Sequence, residues 1–326
     1  MRVLVTGGAG FIGSHYVRQL LSGEYSGWQK AEVTVLDLLT YAGNLSNLDP
    51  VVGRFHFVHG DICDALLLSR VIPGQHAVIN FAAESHVDRS IVSSAEFART
   101  NVIGTQVLMQ ACLDAGVAKV VQVSTDEVYG SIEAGSWDET APVNPNSPYS
   151  ATKAGGDLIA ASYWRTHGLP VCVTRASNNY GPYQHPEKLI PLFVTNLLDG
   201  KTVPLYGDGG NIRDWLHVDD HCRGIQLVVE QGRPGEVYHI AGTVEVTNSE
   251  LTGRLLATFG QGWDMVEKVT DRKGHDRRYS LCDAKLRTLG YQPRIDLDQG
   301  LKQTIAWYRA NRRWWEPLKR DVAIVR

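Results

Sequence analysis

Two adjacent acids and a tyrosine–lysine pair are the residues of this chain best suited to chemistry. Asp126 and Glu127 directly follow Thr125 where an apolar run ends, and farther along Tyr149 lies four residues before Lys153. A phenol, with a pKa of about 10 in water, is too weak a base at neutral pH, but a neighbouring ammonium group favours the phenolate. Tyr149 and Lys153 therefore predict proton abstraction from a carbinol during hydride transfer, and the two acids predict that a group is also eliminated.

The secondary structure around these residues decides whether they can act together. Ser147 and Pro148 are typical of an N-cap and a first helical residue, so the tyrosine and lysine should share one helical face. Neighbours on a regular strand face opposite ways, so both acids can reach one substrate only if the strand has ended by Asp126. The alternative is a pair of solvated loop acids. Acids with opposite roles also need surroundings that separate their pKa values, and they should titrate as a coupled pair.

A glycine-rich loop at residues 7–13 directly follows the first apolar run and opens a predicted helix. Its glycines permit a tight turn and a close approach of the backbone to a pyrophosphate, which the helix N-terminus stabilises. Asp37, at the end of the second predicted strand, can accept hydrogen bonds from a ribose and would repel a 2′-phosphate, which favours NAD over NADP. A structural turn and a helix-capping aspartate are the alternatives. Asp61 and Ile62, after the third strand, are expected to flank the adenine.

Strands and helices alternate along the first 175 residues. Apolar runs predict strands at Arg2–Val5, Glu32–Leu36, Phe55–His59, Ala77–Phe81, Val120–Ser124 and Val171–Arg175. Helices are predicted at Phe11–Leu21, Thr100–Ala115 and Ser150–Thr166. This alternation predicts βαβ units with right-handed crossovers and a sheet covered on both faces. The predicted fold is an α/β doubly wound parallel sheet of Rossmann type with a second, smaller mixed α/β substrate domain.

The second half of the chain is less regular. Asp214–Val218 and Glu236–Ala241 are predicted strands that could rejoin the main sheet, and a helix is predicted at about Leu297–Asn311. We expect two interleaved domains with a cleft between them. The NAD-binding domain is predicted to comprise residues 1–175 and about 211–243, and the substrate domain residues 176–210 and 244–326.

Composition and charge indicate which partners to expect. The 326 residues are 43% hydrophobic and 21% charged with a net charge of −3, which favours neither nucleic acid nor an anionic membrane. The Arg- and Trp-rich stretch Arg309–Arg320 is interpreted as a solvated helix end rather than a nucleic-acid patch. Five scattered cysteines indicate reduced thiols, and the histidines lack metal-ligand spacing, so no metal site is expected. The first residues carry neither a basic segment nor a long apolar run, so a cytoplasmic protein is expected.

Six segments and the tyrosine–lysine pair carry a family resemblance. The segments are GGAGFIGS (7–14), FAAESHVDRSI (81–91), STDEVYG (124–130), RASNNYGPYQHPEKLIP (175–191), PLYGDGGNIRDWLHVDDH (204–221) and DRKGHDRRY (271–279). The chain resembles the extended short-chain dehydrogenases/reductases, and within that group the dTDP-glucose 4,6-dehydratases, over nearly its whole length. Related epimerases and decarboxylases share the glycine loop and the tyrosine–lysine pair. The acid pair and AAESHVDRS are much more specific.

The resemblance implies a reaction in which dTDP-glucose loses water to give dTDP-4-keto-6-deoxyglucose while tightly bound NAD is recycled. Tyr149, with Lys153, would take the proton of the C4 hydroxyl. Glu127 would remove the C5 proton, and Asp126, held protonated, would donate to the C6 oxygen so that water leaves. Thr125 would hydrogen-bond the sugar O4.

The resemblance also implies the residues that line the two ligand sites. For the cofactor these are Gly7, Gly10, Phe11, Ile12, Gly13, Asp37, Asp61, Ile62, Ala82, Ala83, Ser85, Thr100, Tyr149, Lys153 and Asn178. For the nucleotide sugar they are Ser85, Thr125, Asn178, Glu187, Lys188, Leu189, Pro204, Tyr206, Arg213, Asn248, Arg272, His275 and Tyr279. Arg213 lies in a glycine-bounded loop where a guanidinium could fork onto a diphosphate, with a surface arginine as the alternative. A homodimer through the helices at about 100–115 and 150–166 is also implied.

Two other functions stay open at this stage. A nucleotide-sugar 4-epimerase or decarboxylase would use NAD, Tyr149 and Lys153 but would not need both acids. A non-catalytic dinucleotide-binding protein would keep the glycine loop but would not need the tyrosine, the lysine or the acids. The sequence leaves open the pathway that uses the product and the choice between a thymidine and a uridine nucleotide.

Overall fold

A computed structural model describes residues 1–322 of the chain. Its strands are β1 Arg2–Thr6, β2 Glu32–Asp37, β3 Phe55–His59, β4 Ala77–Asn80, β5 Lys119–Thr125, β6 Val171–Ala176, β7 Asn178–Tyr180, β8 Val203–Tyr206, β9 Ile212–His217, β10 Val237–Ile240, β11 Glu245–Thr247 and β12 Val266–Val269. Its α-helices are α1 Phe11–Ser22, α2 Ala65–Val71, α3 Val87–Val92, α4 Ala95–Ala98, α5 Thr105–Asp114, α6 Pro148–His167, α7 Leu189–Leu198, α8 Val218–Gln231, α9 Asn248–Phe259, α10 Ala284–Arg287, α11 Leu297–Ala310 and α12 Arg312–Val322. Further helical turns are the 3-10 segments Leu45–Val51, Asp126–Tyr129 and Trp263–Met265 and the π segment Arg99–Gly104.

Seven parallel strands form the main sheet, in the order β10-β6-β5-β4-β1-β2-β3. Apolar runs such as Val3–Val5 are fully buried because helices cover both faces of the sheet. One hydrophobic core includes side chains of α1 and α8, and a second includes side chains of α2, α5 and α6. The strand order reverses between β1 and β4, and at such a switch point the carboxyl ends of parallel strands leave a crevice for a ligand. The predicted doubly wound fold is confirmed.

A smaller lobe stands beyond the carboxyl ends of these strands. It contains a three-stranded sheet in the order β11-β9-β7 and a two-stranded sheet of β12 and β8. Helices α7, α9 and α11 pack around a third hydrophobic core that includes Phe193, Leu255 and Tyr308. The ligand-binding crevice is therefore covered by a lobe with its own core.

One of the two late strands is not where the sequence suggested. Glu236–Ala241 contributes β10, which joins the main sheet beside β6, as expected. The prediction that Asp214–Val218 could rejoin that sheet is wrong, because β9 pairs with β7 and β11 instead. The buried Asp214 carboxylate accepts hydrogen bonds from Ser177 Oγ at 2.6 Å and from the Gly242 backbone N–H at 2.7 Å. These bonds fix β9 just beyond the ends of β6 and β10, while β10 takes the position at the sheet edge.

The helix predictions are mostly confirmed, with one correction at the C-terminal end. Ser147 caps α6 by accepting a hydrogen bond from the Ser150 N–H, and Pro148 is the first helical residue. The interpretation of Arg309–Arg320 as a solvated helix end is wrong for part of the stretch. Most of it forms α12, in which Trp315 is only 1% exposed and packs in the core of the smaller lobe. Core residues of the smaller lobe that come from distant helices, and that the local sequence pattern does not show, bury this tryptophan.

Among the described residues, we find no helix long and apolar enough to cross a membrane.

Candidate active site

The acid pair lies on a single turn at the carboxyl end of a central strand. β5 ends at Thr125, and the 3-10 segment Asp126–Tyr129 begins at the next residue. The Thr125 side chain caps this turn by accepting a hydrogen bond from the Glu127 N–H at 3.2 Å. Because the strand has ended, both acids line the same cleft along the sheet edge. The structural condition for their joint action is met.

Asp126 occupies surroundings that favour its protonated form. The residue is 2% exposed, and its Oδ2 has no hydrogen-bond partner among the described residues. Its Oδ1 accepts a hydrogen bond from Thr125 Oγ1 at 3.1 Å. Burial, and after it the charge of Glu127, raises the pKa of Asp126 well above its usual range. A carboxyl group held neutral in this way can donate a proton at neutral pH.

Glu127 lies beside the acid but in more cationic surroundings. Burial raises its pKa, while Arg272, Arg213 and Lys188 act in the opposite direction by stabilising the carboxylate. Its Oε2 accepts a hydrogen bond from Ser150 Oγ at 3.3 Å. The charge of Glu127 raises the pKa of Asp126, and the three cations favour Glu127 as the member of the pair that carries the negative charge.

Tyr149 and Lys153 lie on α6 and point into the same cleft. The Lys153 Nζ donates a hydrogen bond to the Val123 carbonyl at 2.7 Å, and burial lowers its pKa. Burial and then the charges of the two acids raise the pKa of Tyr149 well above its usual value, while a hydrogen bond with Thr125 lowers it. The protein alone therefore holds the phenol neutral. A positive charge entering the cleft would favour the phenolate.

A buried network connects the turn of the acids to the helix of the phenol. The Tyr129 hydroxyl, at the end of the acid turn, accepts a hydrogen bond from Arg175 Nη1 at 2.6 Å and lies 2.6 Å from His239 Nε2. Arg175 Nε in turn donates to Asp157 on α6 at 2.9 Å. The sequence analysis did not single out these residues, because a buried tyrosine and an arginine on a strand give no local signal of a shared role.

The glycine loop at residues 7–13 has the shape that a dinucleotide needs. Gly7 has a φ of +67°, which favours glycine, and a Cβ on Gly13 would lie 2.3 Å from the Gly7 carbonyl oxygen. A Cβ on Gly10 would meet only that carbonyl, at 3.3 Å, so the backbone there is open to a ligand. No side chain caps the N-terminus of α1, which leaves its first N–H groups facing this opening. Such an arrangement fits a pyrophosphate.

All of the predicted cofactor residues line one cleft, whose volume is about 320 Å³. Asp37 is buried there and accepts hydrogen bonds from the N–H groups of Ala9 and Leu39 at 2.9 and 2.8 Å. Burial raises the pKa of Asp37 while both hydrogen bonds lower it. The sequence analysis missed several residues that also line the cleft, namely Asn44, Asn47, Tyr183, Gln184, Trp314 and Leu318. Asn44 and Asn47 follow Asp37 closely, but they match no binding motif.

The predicted substrate residues line the same cleft or two adjoining cavities, of which the larger has a volume of about 640 Å³. Arg213 Nη2 donates to the Asp276 carbonyl at 2.8 Å, and its guanidinium lies 4.3 Å from the ring centroid of Tyr279. Arg272 lies 3.5 Å from an Asp88 oxygen and 3.1 Å from His275 Nε2. The site is therefore rich in cations, which suits an anionic ligand.

Glu187 differs from the other predicted substrate residues because an arginine and a histidine of the protein already contact its carboxylate. Its carboxylate lies 3.4 Å from Arg89 and 3.5 Å from His86. The neighbouring Lys188 donates a hydrogen bond from Nζ to the Ser85 carbonyl at 2.9 Å. These contacts tie the substrate loop to the segment that follows β4, between the cofactor cleft and the substrate cavity.

Comparison with known proteins identifies the family of this chain. The family model for GDP-mannose 4,6 dehydratase matches residues 4–304. A dTDP-glucose 4,6-dehydratase from Streptomyces antibioticus is 63% identical over 99% of this chain and 97% of the relative. The chain belongs to the dTDP-glucose 4,6-dehydratase family. The resemblance predicted from the sequence motifs is thus confirmed.

Solved structures show that this fold occurs in enzymes named for different reactions. The dTDP-glucose 4,6-dehydratase of Streptomyces venezuelae, solved with NAD and TYD bound, is 64% identical, covers 98% of this chain and all of its own, and has a TM-score of 0.96. A UDP-glucose 4-epimerase from Thermus thermophilus, solved with NAD, is 31% identical, covers 95% of this chain and all of its own, and still reaches a TM-score of 0.87. Dehydratases and epimerases therefore share the fold, and the particular side chains in the cleft must distinguish their reactions.

Proposed function

We propose that the protein dehydrates dTDP-glucose to dTDP-4-keto-6-deoxyglucose. The observation that carries this proposal is the carboxyl pair, buried Asp126 and half-buried Glu127, on one turn facing the cleft of Tyr149 and Lys153. An epimerase needs the tyrosine and lysine but has no elimination for two acids to catalyse. A non-catalytic dinucleotide-binding protein needs none of the four.

The residues present fit NAD as the cofactor, with the open backbone at Gly10 for the pyrophosphate and Asp37 for the ribose. When bound, NAD would accept the C4 hydride and later return it to C6, so it ends unchanged. The domain of residues 1–175 and about 211–243 would provide most of its binding site, which Asn178 and Trp314 complete from the other domain. The domain of residues 176–210 and 244–326 would provide most of the nucleotide-sugar site, together with Ser85, Thr125 and Arg213.

The side chains of this chain supply the proton transfers. Tyr149, assisted by Lys153, would take the proton of the C4 hydroxyl as C4 is oxidised, with Thr125 hydrogen-bonded to O4. The resulting ketone acidifies the hydrogen at C5, which Glu127 would remove as a base. Asp126, kept protonated by burial, would donate its proton to the C6 oxygen, so that the C6–O bond breaks and water leaves. The environments of the two acids favour these opposite roles.

The test incubates the purified holoenzyme with dTDP-glucose in deuterated water without added reductant. We expect a 4-keto-6-deoxy product that carries deuterium at C5, because the base exchanges its proton with solvent before C5 is reprotonated. Recovery of a galactose epimer would instead establish the epimerase. Binding of NAD without any change in the sugar would favour the non-catalytic alternative.

We also propose a cytoplasmic homodimer. Ile103 and Leu158, in the segments predicted at the interface, are 54% and 58% exposed, and a dimer contact through these segments would bury them. The described cysteines are free, which fits a reducing compartment. Sedimentation of the wild-type protein and of Leu158→Glu tests the assembly, since a charge at a buried dimer contact should give monomers. A monomeric wild type would overturn the dimer.

A further inference from the structure

The C-terminal helix α12 crosses from the smaller lobe to the cofactor cleft. Trp314 and Leu318, four residues apart on one face of the helix, both line this cleft. The adjacent Trp315 points into the core of the smaller lobe and donates a hydrogen bond from Nε1 to the Tyr308 carbonyl at 2.8 Å. One face of α12 is thus embedded in the smaller lobe while another covers part of the cofactor cleft.

Ion pairs at both ends of one face hold α12 in place. Arg312 and Lys319 both pair with Asp199, which follows the last residue of α7, and the Lys319 contact measures 3.0 Å. The Arg312 guanidinium also lies 4.8 Å from the ring centroid of Trp315. The helix is therefore a fixed part of the smaller lobe, and the position of Trp314 is set by that lobe.

A chain of hydrogen bonds leads from Trp314 to the glycine loop. The indole Nε1 donates to Asn47 Oδ1 at 3.0 Å, and Asn47 Nδ2 donates to the Ala9 carbonyl at 2.8 Å. The Ala9 N–H in turn donates to Asp37 Oδ2 at 2.9 Å. Asn47 is only 2% exposed, so water cannot easily replace either partner. Ala9 directly precedes Gly10, where the backbone is open to the pyrophosphate.

Aromatic contacts form a second link between the C-terminal helices and α1. The Tyr183 ring lies 5.5 Å from that of Trp314 and 4.4 Å from that of Trp307. The guanidinium of Arg18 on α1 lies 4.2 Å from the centroid of the same Tyr183 ring. Tyr183 has a φ of +69°, a backbone conformation that non-glycine residues rarely adopt and that packing must maintain.

We propose that Trp314 is a positioning residue that fixes the glycine loop through Asn47 and thereby retains NAD. This inference rests on the proposed use of NAD. A cofactor that is regenerated in every turnover gains nothing from leaving the protein, so a contact that slows its release benefits the reaction. The tryptophan acts on cofactor retention and takes no part in the proton transfers.

The experiment measures how fast labelled NAD exchanges out of preloaded holoenzyme in the absence of any sugar. Trp314→Phe keeps an aromatic ring at this position but removes the indole N–H, which leaves the buried Asn47 oxygen without its donor. We expect exchange to be about tenfold faster in this variant and about a hundredfold faster in Trp314→Ala, which also loses the aromatic contact. Trp263→Phe, at an exposed tryptophan that lines none of these cavities, is the matched control and should exchange like the wild type.

A purely structural role for Trp314 predicts different results. Positioning predicts that saturating NAD restores the kcat of Trp314→Ala, whereas a purely structural role predicts a loss of kcat that added NAD does not restore. Exchange within twofold of the wild type in Trp314→Phe, or a kcat that excess NAD does not restore, would overturn the proposal. Exchange is measured without substrate, so a protein that retains NAD through Trp314 but fails to dehydrate dTDP-glucose would refute only the proposed function.

Discussion

The cofactor side and the substrate side of the cleft are formed by different kinds of chemical groups. On the cofactor side, backbone groups in and near the glycine loop, such as the N–H groups of Ala9 and Leu39 that donate to Asp37, form the centre of the site. On the substrate side, charged side chains from distant segments meet and already engage each other, as Arg272 does with Asp88. The groups on the cofactor side are already held in place for a ligand. On the substrate side, a ligand would replace ion pairs that the side chains make with each other.

This difference predicts how each side responds to substitution. Changes on the substrate side should mainly alter the KM for the sugar, and changes on the cofactor side should mainly alter the retention of NAD. Changes at the turn of Asp126 and Glu127, where the two sides meet, should alter the chemical steps themselves.

The largest expected effect is that of Asp126→Asn on water loss. The amide cannot donate the proton that the leaving oxygen needs, so dehydration should slow by about 10²- to 10⁴-fold. Oxidation at C4 depends on Tyr149 and should survive, so reduced cofactor should accumulate on the enzyme. Rapid-mixing absorbance of the reduced nicotinamide, with product analysis after quenching, measures both steps. Equal loss of oxidation would show that Asp126 is structural, and Asp298→Asn, at an exposed aspartate, controls for a general charge effect.

The next effect concerns Arg213→Lys on the substrate side. Lysine keeps the charge but loses the planar fork that matches a diphosphate, so the KM for the nucleotide sugar should rise by about 10- to 100-fold. The kcat should change by no more than a few fold, and NAD exchange should be unchanged. Steady-state kinetics and the exchange assay test this separation. A large fall in kcat at unchanged KM would contradict it.

A smaller effect is expected on stability, where Asp126→Asn should be more stable than the wild type at neutral pH. Burial raises the folded pKa of Asp126 above its unfolded value of about 3.9, so the native state binds this proton more tightly. The stability contributed by the group is complete below the unfolded pKa and is lost as pH rises through the folded pKa. The amide does not ionise and avoids this loss.

Urea unfolding of the unliganded proteins tests this prediction. We expect the free energy of unfolding of the variant to exceed that of the wild type by about 1–2 kcal/mol at pH 7. The difference should shrink toward pH 4, where the unfolded carboxyl also becomes protonated. A variant that is less stable at pH 7 would show that the carboxyl contributes favourable contacts that outweigh its burial.

The smallest effect should come from Asp208→Asn at the rim of the substrate side. Asp208 pairs with Arg277 at 2.8 Å, but both side chains are largely exposed. Exposed pairs contribute little, so the urea midpoint of unfolding should match that of the wild type. Kinetic constants should also match the wild type. A larger change would mean that this rim pair orders the loop that carries Arg213.

The sequence predicted features that depend on neighbouring residues better than features that depend on contacts between distant segments. The glycine loop, Asp37 and the strand ends depend on neighbours in sequence and on the common geometry of parallel sheets. The position of β9 depends on Ser177 and Gly242, far from Asp214 in sequence. The burial of Trp315 likewise depends on a core assembled from distant helices. The motif resemblance named substrate residues that lie around the same cavities, but it gave no indication that Arg89 and His86 contact Glu187.

The buried hydrogen bonds among Tyr129, Arg175 and Asp157 bear on how the activity depends on temperature. They make the turn of the acids and the helix of the phenol one stiff unit, so a shift of α6 carries both along and preserves the spacing between them. Gradual thermal motion should then leave the alignment of the proton carriers intact. The proton-transferring side chains would lose their alignment only when the hydrogen-bond network breaks. The activity should therefore fall abruptly at one temperature rather than gradually as the temperature rises.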